Sequence, residues 1–521
     1  MTALLAEIPL EPAGVPRGRA MVERAQWAAR AFASYDIETV RRIAKAAAEA
    51  GEQHAKEFAE AAVAETGFGV AEHKVLKNVA CSIGIWNTYG QQDYVTPVVH
   101  EDQRMVEVPR PAGVVFALTP STNPVATTYF KIMLALLTRN AIIISPHPYA
   151  KKVCSDAARV MRDAAVAAGA PDGCIQFVDE PSIPLIDALM TDPRVAVIVA
   201  TGGSPMVRAA YRSGNPAIGV GPGNVPVLVD ATADLALAAR HLVASKAFDN
   251  SILCTNESVV IVEERVAAPF AAAMRREGAY ILDGDEIDAV KSLIFPAEHF
   301  DVSWVGRSAR QIADAAGVKA PVNTRILVAP FPIVVPEEML AHEKLCPVLG
   351  MVTVPSAARG IDAARAVLRI TGAGHSAAIH SEDAETVMAY AAAVRVLRVS
   401  VNVGSSLGSS GIETNLAPSM TIGTGFFGGS SVGENLEPKH LVDSTRIAYN
   451  ADSRLPMPAF EGLSPWRAPS GAVPPYPIPS NAADAPRLTP SATTSPGDGT
   501  DELREEIRKL VVEELRQIIK G

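Results

Sequence analysis

The sequence has little cysteine and no long hydrophobic run. Its five cysteines are spread over 521 residues without Cys-x-x-Cys pairs or Cys/His ligand spacing, which argues against a disulfide framework and a cysteine-based metal site. The longest apolar runs, such as VAVIVA at residues 195–200, are far too short to span a bilayer. The first residues also lack the basic start and apolar core of a signal peptide. We therefore expect a cytoplasmic protein with reduced thiols and no membrane contact.

The sequence also lacks a strong excess of charge of either sign. Its formal net charge is −10, and no Lys/Arg stripe with interleaved aromatic residues occurs. The footprint of a nucleic-acid-binding protein is therefore absent from the sequence. Hydrophobic residues make up 48% of the chain and charged residues 20%, which is the balance of a folded globular protein with a sizeable core.

The apolar pattern predicts an α/β protein. Between residues 20 and 89, apolar residues recur at helical spacing, which predicts a helical opening segment. After Pro111, short β-branched runs such as GVVFAL and VPVLV alternate with helical stretches, which predicts parallel strands covered by helices. The alternation resumes after Asp230 and predicts a second α/β domain. Residues 98–108 predict two short strands around a polar turn, and we expect this hairpin to protrude.

The composition changes sharply after Asp452. Prolines recur from Pro456 to Pro496, which predicts an extended, semi-rigid linker. Residues 500–521 then predict an amphipathic helix, because Thr500 can cap it and its aliphatic residues fall on one face opposite the arginines and glutamates. An isolated helix of this length is marginal in water, so we expect its apolar face to bury against a partner.

The stretch FDNSILCTNES, residues 248–258, places Cys254 in a polar loop between a predicted helix and the predicted strand SVVIVEE. A partly exposed cysteine beside dipoles or charges can act as a nucleophile. A cysteine within an apolar helical pattern, such as Cys81 or Cys154, is inert. From these residues alone, Cys254 is either a nucleophile or a small packing residue.

Two further polar turns follow predicted strands. In ALTPSTNPVATTYFK, residues 117–131, prolines fix the loop around Asn123, whose amide can donate to a developing oxyanion or cap the next helix. In VIVATGGSPMVRAAYRSG, residues 201–203 form a strand-to-helix turn whose backbone N–H groups suit a phosphate or a nicotinamide. The segment GVGPGN, residues 219–224, looks like a dinucleotide fingerprint but precedes a predicted strand, so the required context fails.

Taken in order, these stretches resemble the CoA-acylating branch of the aldehyde dehydrogenase superfamily, the acetaldehyde and propanal dehydrogenases. The resemblance also rests on ETGFGVAEHKVLKN, ISPHPYAKK, HEKLCPVLGM, GHSAAIHS and LAPSMTIGTGFFGGSSVGENLEPKHL, and it extends from about residue 20 to residue 450. It implies the aldehyde dehydrogenase fold, with two α/β domains and a small oligomerisation hairpin. The expected boundaries are a flexible amino terminus (1–19), a nucleotide-binding domain (20–228) with the hairpin at about 94–110, a catalytic domain (229–405), a returning segment (406–452), a proline-rich linker (453–499) and the amphipathic helix (500–521).

The resemblance also implies roles for individual residues. Cys254 would be the nucleophile, and the Asn123 side chain would hold the oxyanion. His375 is the candidate base for the thiol of coenzyme A, with a structural histidine as the alternative. The residues implied in binding NAD are Thr201, Gly202 and Gly203 at the nicotinamide and pyrophosphate turn, Glu343 at the nicotinamide ribose, and Ser145 and His147 along the adenosine side. No metal site is implied.

One position departs from the hydrolytic members of the superfamily. These carry a glutamate that activates water, and Val220 stands in its place here. The resemblance therefore implies that CoA accepts the acyl group, because a thiol is a better nucleophile than water at neutral pH. The expected activity is reversible, NAD-dependent oxidation of a short-chain aldehyde, propanal or acetaldehyde, to acyl-CoA. A hydrolytic aldehyde dehydrogenase and a catalytically lapsed cargo scaffold remain as alternatives.

Residues 500–521 resemble the encapsulation helices of related enzymes in bacterial microcompartments. This likeness implies a location in the microcompartment lumen, with shell proteins or co-cargo as partners. An added oligomer contact and an ordinary surface helix are the alternatives. The hairpin at residues 98–108 favours a homo-oligomer, either a dimer or a tetramer.

Overall fold

Parallel sheets covered by helices form the framework of the molecule. The computed structural model describes residues 12–471 and residue 476. The strands of this part are β1 (Val98–His100), β2 (Met105–Pro111), β3 (Val114–Thr119), β4 (Ala141–Pro146), β5 (Ile175–Phe177), β6 (Val197–Thr201), β7 (Ala217–Val220), β8 (Val225–Val229), β9 (Glu257–Glu263), β10 (Ala279–Ile281), β11 (Ile326–Pro330), β12 (Val348–Val354), β13 (Ala377–His380), β14 (Val399–Val401) and β15 (Val442–Ala448).

The helices alternate with these strands along most of the chain. The α-helices are α1 (Val15–Phe32), α2 (Ile37–Gln53), α3 (Ala55–Thr66), α4 (Ala71–Val79), α5 (Ile85–Tyr89), α6 (Pro124–Leu137), α7 (Lys151–Ala167), α8 (Ile183–Thr191), α9 (Ser204–Arg212), α10 (Leu235–Ala247), α11 (Glu264–Arg276), α12 (Gly284–Ile294), α13 (Ala309–Ala315), α14 (Ala357–Ile370), α15 (Ala384–Ala393) and α16 (Ser405–Gly408). A π-helical turn spans Ala80–Gly84, and 3₁₀ turns span Pro148–Ala150, Phe248–Ser251, Pro296–Glu298, Val302–Trp304, Met339–Ala341, Phe426–Gly428 and Pro438–Leu441.

The first sheet contains five parallel strands in the order β5-β4-β3-β6-β7. Strands β3 and β4 are buried along their whole length, as expected of a parallel sheet with helices on both faces. Helix α6 is equally buried, and the amino-terminal helices pack into the same core. The predicted helical opening segment and the predicted parallel strands are confirmed.

The second sheet contains seven parallel strands in the order β10-β11-β12-β9-β8-β13-β14. Separate apolar clusters cover its two faces. Strand β8 belongs to this sheet, so the chain passes from one sheet to the other between Val220 and Val225. This crossing lies slightly before the boundary predicted at residue 228.

A small antiparallel sheet joins two distant parts of the chain. Strand β1 pairs with β2, which confirms the hairpin predicted at residues 98–108. Strand β15 pairs with the other edge of β2 and makes the sheet three-stranded. The sequence VDSTRIA did not predict β15, because it is largely exposed and its apolar alternation is weak.

The structure describes parts of the predicted flexible amino terminus and of the predicted proline-rich linker. Helix α1 already starts at Val15, where Pro16 occupies the first turn and Gly18 packs against Leu185, so the amino terminus is ordered before residue 20. Residues 453–471 of the predicted linker are described, and some of them contact the rest of the protein. The Arg139 guanidinium lies 4.5 Å from the centre of the Trp466 ring. The backbone N–H of Arg467 donates to the Ser34 carbonyl.

The predicted amphipathic helix at residues 500–521 lies outside the described residues. Within the described part of the chain, no helix combines the length and the apolar character needed to cross a membrane.

Candidate active site

A cavity of about 640 Å³ opens where the loops after the first sheet meet loops of the second. The carboxyl ends of parallel strands meet at one edge of a sheet, so the residues following β3, β4, β6 and β7 converge there. Eight of the nine predicted site residues line this cavity, and they are Asn123, Ser145, His147, Thr201, Gly202, Gly203, Cys254 and Glu343. Val220 lines it too, whereas His375 does not.

Cys254 lies on the cavity wall, between the 3₁₀ turn Phe248–Ser251 and strand β9. The other four cysteines are buried, and Cys254 alone is partly exposed. Burial of the Cys254 thiol is the main cause that raises its pKa, to about 12, and the negative charge of Glu343 is the second. The thiol is therefore protonated at neutral pH in the free protein, and its attack on a carbonyl requires that the proton be removed.

The backbone before Cys254 has an unusual conformation. Asp249, Asn250 and Ser251 have φ values of 49°, 52° and 64°, a left-handed region that residues other than glycine rarely adopt. Side-chain hydrogen bonds hold this turn. Asp249 Oδ1 accepts from the Val70 backbone N–H at 2.6 Å, and Asn250 Nδ2 donates to the Gly306 carbonyl at 2.9 Å. These contacts fix the turn that carries Cys254 to the cavity.

Asn123 precedes α6, but its side chain does not cap that helix. The Lys77 ammonium group donates to Asn123 Oδ1 at 2.5 Å, and the Asn123 side chain is buried apart from its face on the cavity. Because an ammonium group needs an acceptor, this contact identifies which end of the amide is oxygen. Asn123 Nδ2 is then available to donate a hydrogen bond to a ligand in the cavity. Its one hydrogen bond among the described residues is to Thr122 Oγ1, at 3.3 Å.

A buried ionic cluster lies behind Asn123. Lys74 and Lys77, one turn apart on α4, both donate to Asp249 Oδ2, and all three side chains are at most 3% exposed. Burial and the charge of Lys77 lower the pKa of Lys74 to about 8, whereas the two lysines lower the pKa of Asp249. This cluster was not predicted from the sequence, because two lysines three residues apart on a short helix look like an ordinary solvated face.

Glu343 and Gly223 bring two loops of the second sheet against the backbone of Cys254. Glu343 Oε1 accepts the Gly223 N–H at 3.1 Å, and a Cβ atom on Gly223 would lie 2.0 Å from the Cys254 carbonyl oxygen. Only glycine permits this approach. Burial raises the pKa of Glu343 to about 8, against the opposing effects of the Gly223 N–H and Lys246. As predicted, GVGPGN leads into a strand, β8, rather than a helix.

The far end of the cavity fits a dinucleotide. Ser145 Oγ at the end of β4 is buried and has no hydrogen-bond partner among the described residues. Helix α9 starts after Gly203 without a side-chain cap, and no atom lies within 4 Å of a Cβ built on Gly202. An unsatisfied hydroxyl and an open helix start are the groups that hold a ribose and a pyrophosphate. Among residues 12–471 and 476, no cluster suited to a metal ion occurs.

Comparison with known proteins identifies the family of the chain. Residues 11–413 match the model of the aldehyde dehydrogenase family. The chain belongs to the aldehyde dehydrogenase family. It is 39% identical over 443 residues to the bifunctional aldehyde-alcohol dehydrogenase AdhE of Escherichia coli K12, which covers 84% of this chain and 50% of that protein. The chain therefore spans about half the length of its bifunctional relatives.

Other members of the family match over nearly their full length. A succinate-semialdehyde dehydrogenase (acetylating) of Clostridium kluyveri is 35% identical, over 84% of this chain and 96% of that protein. The structure of an acetylating aldehyde dehydrogenase from Geobacillus thermoglucosidasius superposes with a TM-score of 0.83 at 35% identity, over 86% of this chain and 98% of that one. A propionaldehyde dehydrogenase from the fucose utilisation microcompartment of Clostridium phytofermentans gives 0.75 at 25% identity, over 84% and 98%.

His375 does not line the cavity that the other eight predicted site residues share. Its side chain is fully buried, its Nδ1 lies 3.1 Å from Ser376 Oγ, and its Nε2 has no partner in the described chain. Burial and the charge of Arg398 lower the pKa of His375 to about 3, which makes it a weak base. The Arg398 guanidinium donates to the His375 backbone carbonyl in a buried contact. Its role as a base for CoA stays a prediction.

Proposed function

We propose that this chain is a CoA-acylating aldehyde dehydrogenase that oxidises a short-chain aldehyde to acyl-CoA with NAD. One observation carries the proposal: the only partly exposed cysteine lies on the same cavity wall as the Asn123 amide and the turn at residues 201–203. The similarity to two acetylating relatives, both matched over nearly their whole length, supports the acylating chemistry.

In the proposed reaction, Cys254 Sγ adds to the aldehyde carbon as its S–H proton is released to solvent water. The former carbonyl oxygen becomes an oxyanion, which accepts hydrogen bonds from Asn123 Nδ2 and the Cys254 backbone N–H. NAD, when bound along Ser145 and residues 201–203, supplies the hydride acceptor. Loss of hydride leaves a thioester on Cys254. The CoA thiol attacks this thioester, releases Cys254 and leaves as acyl-CoA, and the step is reversible because one thioester replaces another.

The composition of the cavity wall favours CoA over water as the acyl acceptor. Val220, in the place of the water-activating glutamate, offers no proton acceptor. Among the described residues, the carboxyl groups on the wall are those of Glu343 and Asp187, and Glu343 Oε1 accepts the Gly223 N–H. A thiol needs less activation than water, because its pKa of about 8.5 leaves a useful fraction of thiolate at neutral pH.

The cavity wall also favours an uncharged aldehyde. Of the residues that the structure describes, no lysine or arginine lines it, and the one lining histidine is His147, on the side assigned to adenosine. Burying a carboxylate without a cationic partner is costly. Propanal or acetaldehyde is therefore the proposed substrate, and a dicarboxylic semialdehyde, the substrate named for the Clostridium kluyveri relative, is disfavoured.

The test follows NADH formation from propanal and NAD, with and without CoA, and identifies propanoyl-CoA by mass spectrometry. We expect turnover that requires CoA. Succinic semialdehyde serves as the matched substrate, since it carries the same reacting group and an added carboxylate, and its kcat/KM should be at least about tenfold lower. Turnover without CoA would instead favour a hydrolytic enzyme, and no turnover with any aldehyde would favour the lapsed scaffold.

A location in a bacterial microcompartment is the second part of the proposal. It is supported by the amphipathic pattern of residues 500–521 and by the microcompartment origin of a structural relative. Deleting residues 500–521 is expected to leave kcat and KM unchanged while co-localisation with shell proteins is lost, as measured by fluorescence microscopy of a tagged chain. Unchanged co-localisation would refute this role.

Self-association through the β1-β2-β15 sheet also stays a proposal.

A further inference from the structure

The ionic cluster behind Asn123 has more positive than negative charge. Two ammonium groups, on Lys74 and Lys77, share the single carboxylate of Asp249, and all three side chains are essentially inaccessible to water. Burying a charged group is costly even when it is paired, and apolar residues often replace buried ion pairs without loss of stability. Packing alone therefore does not account for a second lysine here.

Lys77 makes one contact that Lys74 does not. Its ammonium group donates to Asn123 Oδ1 at 2.5 Å as well as to Asp249. Lys74 instead reaches Asp249 Oδ2 at 3.1 Å and the Thr122 carbonyl at 3.3 Å. Lys77 thus links the amide proposed to bind the oxyanion with the carboxylate of the loop that carries Cys254.

From this geometry we infer that Lys77 is a positioning residue for the oxyanion site. Its bond to Oδ1 holds the Asn123 amide with Nδ2 available to the cavity, and the positive charge polarises the amide so that its N–H donates more strongly. The same ammonium group also pairs with Asp249, five residues before Cys254, but it shares that carboxylate with Lys74. The Asn123 amide is therefore the group through which Lys77 acts. The inference rests on the proposed function.

Lys74 provides a matched control. In Lys77→Met, Asp249 keeps Lys74 as a partner, and in Lys74→Met it keeps Lys77, so neither variant leaves the buried carboxylate unpaired. Both variants remove one ammonium group from the same helix. Only Lys77→Met removes the contact to Asn123.

The experiment is a double-mutant cycle on the steady-state oxidation of propanal, using Lys77→Met, Asn123→Ala and the double variant. Lys77→Met is expected to lower kcat about 10- to 100-fold, while the Kd for NAD, measured by fluorescence titration, stays unchanged. Lys74→Met should change kcat less than about threefold. In the Asn123→Ala background, Lys77→Met should lower kcat little further, because the group through which it acts is gone.

The possible outcomes separate this inference from the proposed function. Effects of Lys77→Met and Asn123→Ala that multiply, or a loss in Lys74→Met as large as in Lys77→Met, would show that the cluster is only structural. A full-length protein without CoA-dependent turnover would refute the proposed function instead. If Lys77→Met does not fold, Lys77→Gln enters the same cycle. It keeps a neutral donor but removes the charge, so kcat should still fall, and a wild-type kcat would overturn the inference.

Discussion

Cys254→Ala is expected to reduce aldehyde oxidation by at least about a thousandfold, because no other group can form the thioester. The remaining cysteines are buried in the core and cannot reach a substrate in the cavity. Intact-protein mass spectrometry gives a direct readout without NAD, since propanoyl-CoA should transfer its acyl group to the free enzyme. The wild-type protein should gain one propanoyl group, and Cys254→Ala should gain none.

Cys346→Ala is the matched control for this substitution. Cys346 follows Glu343 by three residues in the chain, but its side chain is fully buried and does not line the cavity. The variant should keep both turnover and acylation. Acylation that persists in Cys254→Ala would place the nucleophile elsewhere.

Asn123→Ala is expected to lower kcat by about 10²- to 10³-fold, the usual effect of removing one oxyanion donor. The KM for NAD should change little, because Asn123 is not part of the turn at residues 201–203. Steady-state kinetics with propanal and CoA measure both constants. The reduction reflects a hydrogen bond that strengthens as charge develops on the substrate oxygen.

Asn123→Asp distinguishes this role from a structural one. The aspartate has the same shape and can pair with Lys77, so a purely structural requirement would be met by it. An ionised carboxylate, however, donates no hydrogen bond and repels an oxyanion. We expect Asn123→Asp to be at least as slow as Asn123→Ala, and near wild-type turnover in Asn123→Asp would exclude the oxyanion role.

The sequence predicted those features that local patterns determine. Alternating β-branched runs and helical stretches predicted the parallel sheets, and polar turns pointed to Cys254, Asn123 and residues 201–203. Glu343, Ser145 and His147 were implied only by the resemblance to the aldehyde dehydrogenase superfamily. Strand β15 was missed, because its pairing with β2 joins segments far apart in the chain and its own pattern is weak. The sequence also could not show that His375 lies in the core, since a histidine beside a predicted strand reads the same whether it faces a cavity or the interior.

The ionic cluster is the clearest example of a feature that local sequence patterns could not predict. Lys77 and Asp249 are separated by 172 residues, and neither neighbourhood indicates a buried partner. The three left-handed residues before Cys254 were equally unforeseen, because none of them is a glycine. Both features depend on tertiary contacts that override the local preferences of the chain.

The pairing of Asp249 with helix α4 also limits how the enzyme can be divided into working fragments. A fragment that starts at Val225 contains the whole second sheet and Cys254, but neither of the two lysines that neutralise Asp249. Asp249 would also lose its hydrogen bond from the Val70 N–H, so nothing on its side chain would hold the left-handed turn before Cys254 in such a fragment. The amino-terminal helices are thus as necessary to the nucleophile as the sheet that carries it, and catalysis cannot be assigned to either half of the protein alone.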